Sequence, residues 1–262
     1  MSAKMSPGRN LQAKQIIYDF GSNNGDDIPY YLKKADIVVA VEANPTQADL
    51  IRARFAAEIS DRRLIIENCV LAAESTSKAA FYVHTSKPFL SQFPKPDDAL
   101  LNDYQKIWLP ARKASDIIRK YGDPLYVKID IENYDQFVLE EMFSRNIRPP
   151  YISAESHSID VFALLVAVGK YQSFKLVEGN TLSARYGNHV VKTKTGDERY
   201  SFTNEMAGPF GDDISGPWIS RNEFFRLLAF QGLGWKDVHA TNLTQPDAAF
   251  VATIKVNFFC DY

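Results

Sequence analysis

The sequence has 262 residues, of which 45% are hydrophobic and 24% are charged, and its formal net charge at pH 7 is -2. This composition is typical of a globular protein, and the length allows one large domain or two small ones. The near-neutral charge and the absence of a Lys/Arg-rich run argue against a nucleic-acid partner. The longest apolar run, residues 161–168, is far too short to span a bilayer, so we expect no membrane span.

Cysteine usage and the N-terminal residues indicate the compartment. Cys69 and Cys260 are too few and too isolated for a disulfide framework or a cysteine metal site, which indicates a reducing, cytoplasmic environment. Residues 1–14 lack an apolar core after Lys4 and Arg9, so they do not resemble a signal peptide. We expect them to be a flexible N-terminus, followed by a single domain over residues 15–262.

Residues 15–45 have the pattern of a strand, a glycine loop, a helix, a second strand and a terminal acid. Ile16 and Ile17 begin a buried strand, and the loop D-F-G-S-N-N-G supplies glycine where the backbone turns sharply. A helix is expected over residues 26–34 and a central parallel strand over residues 37–41. Glu42 then follows the loop by about 20 residues, which is the spacing of a carboxylate that binds a ribose. This pattern predicts the opening of a nucleoside-binding α/β sheet.

The charges around this loop indicate the kind of ligand. Asp19, Asp26 and Asp27 would surround an anion with carboxylates, whereas a dinucleotide places its pyrophosphate at this helix N-terminus. Gly21 and Gly25 also miss the G-x-G-x-x-G spacing of dinucleotide-binding loops. S-adenosylmethionine, with its ammonium and sulfonium, fits better than NAD. Two alternatives remain: the acids could only complement the helix dipole, and the loop could be a plain βαβ turn.

The next segment continues the alternation of strands and helices that an α/β fold requires. Asn44 and Pro45 predict a helix start, residues 64–71 a third strand, and residues 81–83 a further strand in a small hairpin. Prolines and aromatic residues interrupt residues 85–111, which argues against a regular central element there. We expect this segment to cover the site, although it could equally be a connecting loop.

Polar side chains then follow two predicted strands at their carboxyl ends, where open α/β sheets bind ligands. In the strand over residues 125–131, Lys128, Asp130 and Glu132 share one face by the period of two. They could form a structural ion pair or contact a ligand, because buried charges need one or the other. His157 follows the strand over residues 151–155 and could remove a proton from a hydroxyl, or be only structural or solvated.

The C-terminal third is less regular. We expect a strand over residues 174–178, a loop over residues 200–217, a helix over residues 220–230, and a last strand over residues 249–258 that closes the sheet. Aromatic residues beside acids would suit a sugar, although core packing is the alternative for each tryptophan. Asp237 and His239 could face one way, but two ligands do not make a metal site. Residues 186–248 are therefore expected to cover the substrate.

Three segments resemble the FkbM-type family of S-adenosylmethionine-dependent methyltransferases. They are D-F-G-S-N-N-G running to V-V-A-V-E-A-N-P, then V-K-I-D-I-E-N-Y-D, then Y-I-S-A-E-S-H, and with their spacing they cover residues 16–169. The resemblance implies a Rossmann-like class I methyltransferase fold, in which helices flank a mostly parallel central sheet. It also implies a C-terminal substrate-specific insertion.

The resemblance implies roles for individual residues. Asp19, Gly21, Asn23 and Gly25 would line the methionine end of the cofactor, with Glu42 on the ribose. Asp130 and Glu132 would lie beside the methyl-transfer centre, and Asn133 stands where the family usually has glycine. The expected cofactor-binding residues are Asp19, Gly21, Asn23, Gly25, Glu42, Asn44, Asn68, Val70 and Asp130, of which Asn68 and Val70 would lie near the adenine.

Members of this family typically O-methylate hydroxyls of sugars in polysaccharides or natural products, so the resemblance implies a small-molecule or saccharide acceptor. We expect His157 to be the base, with Glu132 and Asp130 orienting the hydroxyl or binding a cation; a divalent cation is left open. Two other hypotheses stand: an NAD-dependent oxidoreductase, or a non-enzymatic glycan- or protein-binding domain on the same fold. A nucleic-acid methyltransferase is disfavoured, and the oligomeric state is not determined.

Overall fold

The protein is described by a computed structural model that covers residues 14–247. The strands are β1 Ile16–Phe20, β2 Ile37–Val41, β3 Leu64–Glu67, β4 Val70–Leu71, β5 Thr76–His84, β6 Tyr104–Arg112, β7 Pro124–Ile129, β8 Tyr151–Ser156, β9 Ser173–Glu178, β10 His189–Thr193, β11 Gly196–Tyr200, β12 Ile219–Ser220 and β13 Gly234–Thr241. The helices are α1 Ile28–Lys34, α2 Pro45–Arg54, α3 Ala56–Ser60, α4 Ala114–Tyr121, α5 Asp135–Ser144, α6 Ile159–Ala167, α7 Leu182–Tyr186 and α8 Arg221–Gln231.

An eight-stranded sheet in the order β3-β2-β1-β7-β8-β13-β9-β12 forms the centre of the fold. Strands β3, β2, β1, β7 and β8 are parallel, and β13 lies antiparallel between β8 and β9. Strands β3, β2, β1, β7, β8 and β9 follow the doubly wound 3-2-1-4-5-6 order, with antiparallel β13 inserted before β9 and the short antiparallel strand β12 added at the edge beyond β9. The predicted α/β class, with helices flanking a mostly parallel sheet, is confirmed. The strand order reverses between β1 and β7, which is where such sheets bind ligands.

The central strands are buried on both faces, as their unbroken apolar sequences predict. Tyr18 and Phe20 of β1 pack into one core cluster with residues of β7, while Ile17 packs into a second cluster on the opposite face. The side chains alternate because the strand period is two. The two clusters fix β1 and β7, and therefore the polar residues at their carboxyl ends.

Two expectations for residues 64–111 are wrong. The segment over residues 64–71 is not one strand, because β3 ends at Glu67 and β4 joins a separate sheet in the order β4-β6-β5. β5 consequently pairs with β6 rather than forming a hairpin with residues 64–71. Residues 104–112 form a regular strand despite Pro110, which lies where the β5–β6 pairing shifts register. Proline is tolerated at such irregularities because no ladder hydrogen bond is needed from its nitrogen.

The C-terminal expectations are mostly confirmed. α8 begins where predicted, with the Ser220 hydroxyl accepting a hydrogen bond from the Glu223 N–H. Residues 200–217 contain no strand beyond Tyr200 and only a short 3-10 turn, Gly211–Asp213. The last strand expected over residues 249–258 lies outside the described residues, as do residues 1–13 of the expected flexible N-terminus. Within residues 14–247, no helix combines the length and apolar content needed to cross a membrane.

Buried His239 predicts a pH-dependent stability. Burial holds the pKa of His239 down to about 3, with nearby Lys175 adding to the effect, and the ring stacks against Tyr126. The pKa of a histidine in the unfolded chain is about 6.5, so as the pH falls the imidazole is protonated in the unfolded state before it is protonated in the folded state. The free energy of unfolding therefore decreases as the pH drops below about 6.5. The slope approaches about 1.4 kcal/mol per pH unit.

Denaturant unfolding of wild type and His239→Phe from pH 7 to pH 4 tests this prediction. The phenylalanine keeps an aromatic ring against Tyr126 but cannot titrate. Relative to His239→Phe, the wild-type protein should therefore lose free energy of unfolding at up to about 1.4 kcal/mol per pH unit as the pH falls below about 6.5. A difference that stays constant over this range would contradict the prediction.

Candidate functional site

The glycine loop after β1 makes a close contact that permits only glycine. Gly21 has φ +85°, and a Cβ on Gly21 would lie 1.8 Å from the carbonyl oxygen of Asp130. The Gly21 and Ser22 N–H groups both donate to the Val41 carbonyl, at 2.9 and 3.1 Å. The loop therefore lies directly against the carboxyl ends of β2 and β7. The absence of a side chain at Gly21 allows this close approach.

Substituting Gly21 tests this contact. Gly21→Ala should lower the free energy of unfolding by more than the roughly 1–3 kcal/mol that a strained backbone costs, because the methyl group also overlaps Asp130. Gly216→Ala is the matched control, since Gly216 has φ +84° with nothing within 4 Å of its added Cβ. Equal losses in the two variants, measured by denaturant unfolding, would refute the contact.

Glu42, at the end of β2, is buried and fixed by backbone groups. Its two carboxylate oxygens accept hydrogen bonds from the N–H groups of Asn23 and Asn44, each at 2.7 Å. Burial raises the pKa of Glu42 to about 7, against the lowering effect of these two bonds. The Asn68 amide donates to the Glu42 and Ala43 carbonyls at 2.7 and 3.0 Å. Asn68 thus holds the backbone around Glu42.

Lys128 of β7 is buried among carboxylates. Its Nζ lies 3.4 Å from Asp19, 3.3 Å from Asp130 and 3.9 Å from Asp27, and it donates to the Gly21 carbonyl at 3.0 Å. Burial alone would lower the pKa of Lys128, but these carboxylates raise it well above its ordinary value. The ion pair between Lys128 and Asp130 that the sequence allowed is therefore present, and it extends to the glycine loop.

A second charged group follows β7 and β8. The side-chain ligand atoms of Glu132, Glu155 and His157 all lie within 4.8 Å of one another, and His157 Nε2 is 2.7 Å from Glu155 Oε2. Burial raises the pKa of Glu155 to about 10, with Asp130 and Asp135 adding to the effect. We call these three side chains the acid–histidine cluster. Such a group of crowded carboxylates beside a histidine is a candidate site for proton transfer or cation binding.

The chain reversal after β7 aims Glu132 into this cluster. Glu132 and Asn133 have φ of +47° and +63°, the left-handed region. Asparagine adopts this region more readily than most residues, so Asn133 is a residue type that suits this reversal. Burial, followed by the charge of Asp130, raises the pKa of Glu132 to about 7.

A cavity of about 660 Å³ connects the glycine loop to the acid–histidine cluster. Its walls contain five carboxylates and, among the described residues, no lysine or arginine: Glu42, Asp130, Glu132, Glu155 and Glu205. Aromatic side chains line it as well, namely Phe81, Phe89, Phe93 and Trp235. Because burial raises the pKa of Glu155 to about 10 and of Glu42 and Glu132 to about 7, these walls are acidic but not fully charged near neutral pH. With apolar surfaces and no described basic side chain beside them, they favour a cationic or neutral ligand over an anion.

The cavity separates the predicted site residues into two groups. Those that line it are Gly21, Asn23, Glu42, Val70, Asp130, Glu132 and His157. The other four support it: Asp19 binds Lys128, Gly25 packs against Ile51 and Phe55, Asn44 caps α2, and Asn68 holds the Glu42 backbone.

Two segments that were expected to cover the substrate contribute to the walls. Residues 88–91 and Phe93 line one side of the cavity, and Asn204, Glu205 and Trp235 line another. The Asp27 carboxylate accepts a hydrogen bond from the Ala207 N–H at 2.9 Å, which ties the second segment to the start of α1.

For Phe210 and Trp218, two of the aromatic residues that the sequence offered either to a sugar or to the core, the structure shows core packing. Phe210 stacks on Tyr126 at 4.1 Å between ring centroids, and Trp218 packs against Tyr151; both are buried. They belong to the core, whereas Trp235 is half exposed and lines the cavity. Asp237 and His239 lie on β13 outside the cavity lining, and the described residues bring no third metal ligand to them.

Sequence reasoning gave Glu155 no role, although it is central to the acid–histidine cluster. It ends the strand that precedes His157, so the rule that placed His157 at the carboxyl end of that strand also applied to Glu155. Trp235 and Glu205 were candidates by residue type, as an aromatic ring and a loop acid that would suit a sugar, but their distance in sequence from the other wall residues gave no sign that they share a cavity.

No protein-family model and no curated protein match the sequence. Solved structures that resemble the chain include the methyltransferase FkbM from Methylobacillus flagellatus KT, with 13% identity, 65% of this chain and 42% of that chain covered, and a TM-score of 0.43. A precorrin-6y C5,15-methyltransferase from Geobacter metallireducens GS-15 has 12% identity, 74% and 77% coverage, and a TM-score of 0.38. An O-methyltransferase from Bacillus cereus in complex with SAH has 8% identity, 87% and 74% coverage, and a TM-score of 0.37.

The first of these structures carries the family name that the sequence motifs suggested. The chain aligns with less than half of that protein's length. At these identities and TM-scores, such likeness carries no argument about activity, so the function must be argued from the site.

Proposed function

We propose that the protein is an S-adenosylmethionine-dependent methyltransferase that methylates a hydroxyl of an uncharged acceptor, with a sugar as the favoured class. One observation carries the proposal: a single electronegative cavity joins the loop of Gly21 and Glu42 to the acid–histidine cluster. A nucleoside cofactor and an acceptor hydroxyl can therefore meet in one enclosed space.

The charges favour S-adenosylmethionine over a dinucleotide. Gly21, Asn23, Glu42 and Val70 would hold the cofactor. Glu42 already accepts two backbone N–H groups, yet a carboxylate has about four lone-pair sites and keeps capacity for ribose hydroxyls. Bound S-adenosylmethionine supplies an electrophilic methyl group on a sulfonium. The pyrophosphate of NAD would instead lie near Asp27 and Asp130 with no lysine or arginine in the described cavity wall.

The walls near the acid–histidine cluster suit a sugar. Phe89, Phe93 and Trp235 offer ring faces for the C–H faces of a pyranose, and Asn204 with Glu205 offers hydrogen-bonding groups for its hydroxyls. The same carboxylates would repel phosphorylated sugars and uronic acids. The acceptor is accordingly proposed to be a neutral saccharide or another uncharged hydroxyl compound.

His157 is the proposed proton acceptor. Its Nε2 faces the Glu155 carboxyl group at 2.7 Å. A carboxylate that orients one ring nitrogen leaves the other available as a base, which is the arrangement of many catalytic histidines. Glu132, which lies beside His157 in the cluster, and Asp130 would orient the hydroxyl. These residues align the reactants and remove the proton.

Truncating His157 tests this assignment. His157→Ala should lower kcat by roughly 10²–10⁴-fold, because a general base contributes about that much, while S-adenosylmethionine affinity changes little. His84→Ala, which removes a histidine outside the cavity lining, should retain wild-type turnover. Steady-state rates of S-adenosylhomocysteine release and calorimetry give the two quantities. Wild-type turnover in His157→Ala would refute the assignment.

A methyl-transfer screen tests the proposed function itself. The protein would be incubated with methyl-labelled S-adenosylmethionine and neutral saccharides, each paired with its phosphorylated form. We expect labelled methyl ether on a neutral saccharide and none on its phosphorylated partner. Transfer only to phosphorylated acceptors would contradict the proposed acceptor class, and reduction or oxidation of NAD(H) with these acceptors would favour an oxidoreductase.

A further inference from the structure

We infer that Glu132, Glu155 and His157 bind a divalent first-row metal ion at the acceptor end of the cavity. The three side chains offer two carboxylate oxygens and one imidazole nitrogen, a mixed donor set that suits Mn²⁺ and its neighbours in the series. All three line the cavity, so an ion held there would face the acceptor.

The positions of the ligand atoms fit a shared ion. All of them lie within 4.8 Å of one another. The 2.7 Å between His157 Nε2 and Glu155 Oε2 is a hydrogen-bond distance, and these two atoms need to separate by only about 0.5 Å to reach the roughly 3.0–3.4 Å between adjacent ligands of one metal. In the metal-free cluster a proton can bridge these two atoms, and an ion would take its place. Three protein ligands leave coordination positions open on the cavity side, as in catalytic metal sites.

The backbone holds these ligands rigidly. Glu155 lies in β8, which is paired on both sides, by β7 and by β13. Glu132 is set by its left-handed backbone conformation directly after β7. Because both carboxylates come from the carboxyl ends of adjacent parallel strands, little reorganisation is needed to close around an ion.

Among the described residues, no lysine or arginine side chain neutralises the carboxyl groups of the acid–histidine cluster. The nearby fixed cation is Lys128, and its Nζ already contacts Asp19, Asp130 and the Gly21 carbonyl. No lysine or arginine of the described chain lines the cavity, while Asp130 and Glu205 add negative charge to its walls. A bound divalent ion would compensate this excess, since buried charges require partners.

The inference rests on the proposed function and changes the role of His157 from proton acceptor to ligand. A hydroxyl bound to a divalent ion has a lowered pKa, so its O–H bond breaks with the proton leaving to solvent through the open side of the cavity. The oxygen then forms a bond to the methyl carbon, while the C–S bond breaks and its electron pair stays on sulfur. The products are the methyl ether and S-adenosylhomocysteine.

Titration of chelator-treated protein with Mn²⁺ alone, followed by electron paramagnetic resonance and calorimetry, tests the site without an acceptor. We expect one ion per chain. Glu132→Gln, Glu155→Gln and His157→Ala should each weaken binding by roughly 100-fold or more, because even an outer-shell partner can be worth that much. Glu205→Gln, which removes a cavity carboxylate outside the cluster, should weaken Mn²⁺ binding far less.

S-adenosylmethionine affinity and circular dichroism of each variant show whether it has folded, so an unfolded variant is not counted as loss of a ligand. Absence of Mn²⁺ binding to the wild-type protein, or equal affinities in the cluster variants and Glu205→Gln, would overturn the inference. Titrations with Zn²⁺, Mg²⁺ and Ca²⁺ extend the test, and preference for Ca²⁺ or Mg²⁺ over both transition metals would overturn the assigned metal class.

The methyl-transfer assay separates this inference from the proposed function. Activity that is lost with the chelator and restored by Mn²⁺ supports both. Transfer at the full rate after complete metal removal overturns the metal role and leaves the methyltransferase proposal standing. Stoichiometric Mn²⁺ binding by a protein that binds no S-adenosylmethionine would support the site and contradict the proposed function.

Discussion

The buried charge of Lys128 is the constraint on which the rest of the site depends. A buried ammonium near the carboxyl end of a central strand is costly unless several acceptors surround it, and here those acceptors come from different parts of the chain. Asp19 is the last residue but one of β1, Asp27 precedes α1, and Asp130 follows β7. Lys128 therefore fixes the glycine loop, the start of the first helix and the end of β7 relative to one another. Asp27 also accepts a hydrogen bond from the Ala207 N–H, so Lys128 is linked through Asp27 to the loop over residues 200–217, which forms part of the cavity wall.

This network also determines the electrostatic character of the cavity. Lys128 points beneath the glycine loop rather than into the open space, so its charge is used by the supporting carboxylates. The carboxylates that remain on the walls are not matched by a lysine or arginine within the described residues. The cavity is consequently suited to a sulfonium cofactor and a metal ion, which acidic walls attract, and to a neutral acceptor, which they do not repel. An NAD-like anion would meet the opposite conditions.

Much of this architecture follows from local sequence signals. The strand, glycine loop, helix and acid over residues 15–45 predicted the core of the sheet, and polar residues after two strands predicted two members of the acid–histidine cluster, Glu132 and His157, but not Glu155. The division of residues 64–111 was not predictable in this way, because β4 and β6 pair across about 40 residues and three prolines separate β5 from its partner β6. The supporting role of Asn68 was hidden for the same reason: its partners are carbonyls brought near by tertiary contacts. Sequence identifies which polar residues end strands, whereas only the fold shows which of them face the cavity.

The most direct test of the account is a calorimetric titration of S-adenosylmethionine into wild-type protein, Glu42→Gln and Glu140→Gln, with NADH titrated in parallel. Glu42 lies at the cofactor end of the cavity, whereas Glu140 is exposed on α5. The Glu140→Gln substitution therefore makes the same chemical change away from the cavity. The account predicts that wild type and Glu140→Gln bind one S-adenosylmethionine with the same affinity, that Glu42→Gln binds it weakly, and that NADH does not bind. Binding of NADH, or equal S-adenosylmethionine affinity in all three proteins, would contradict it.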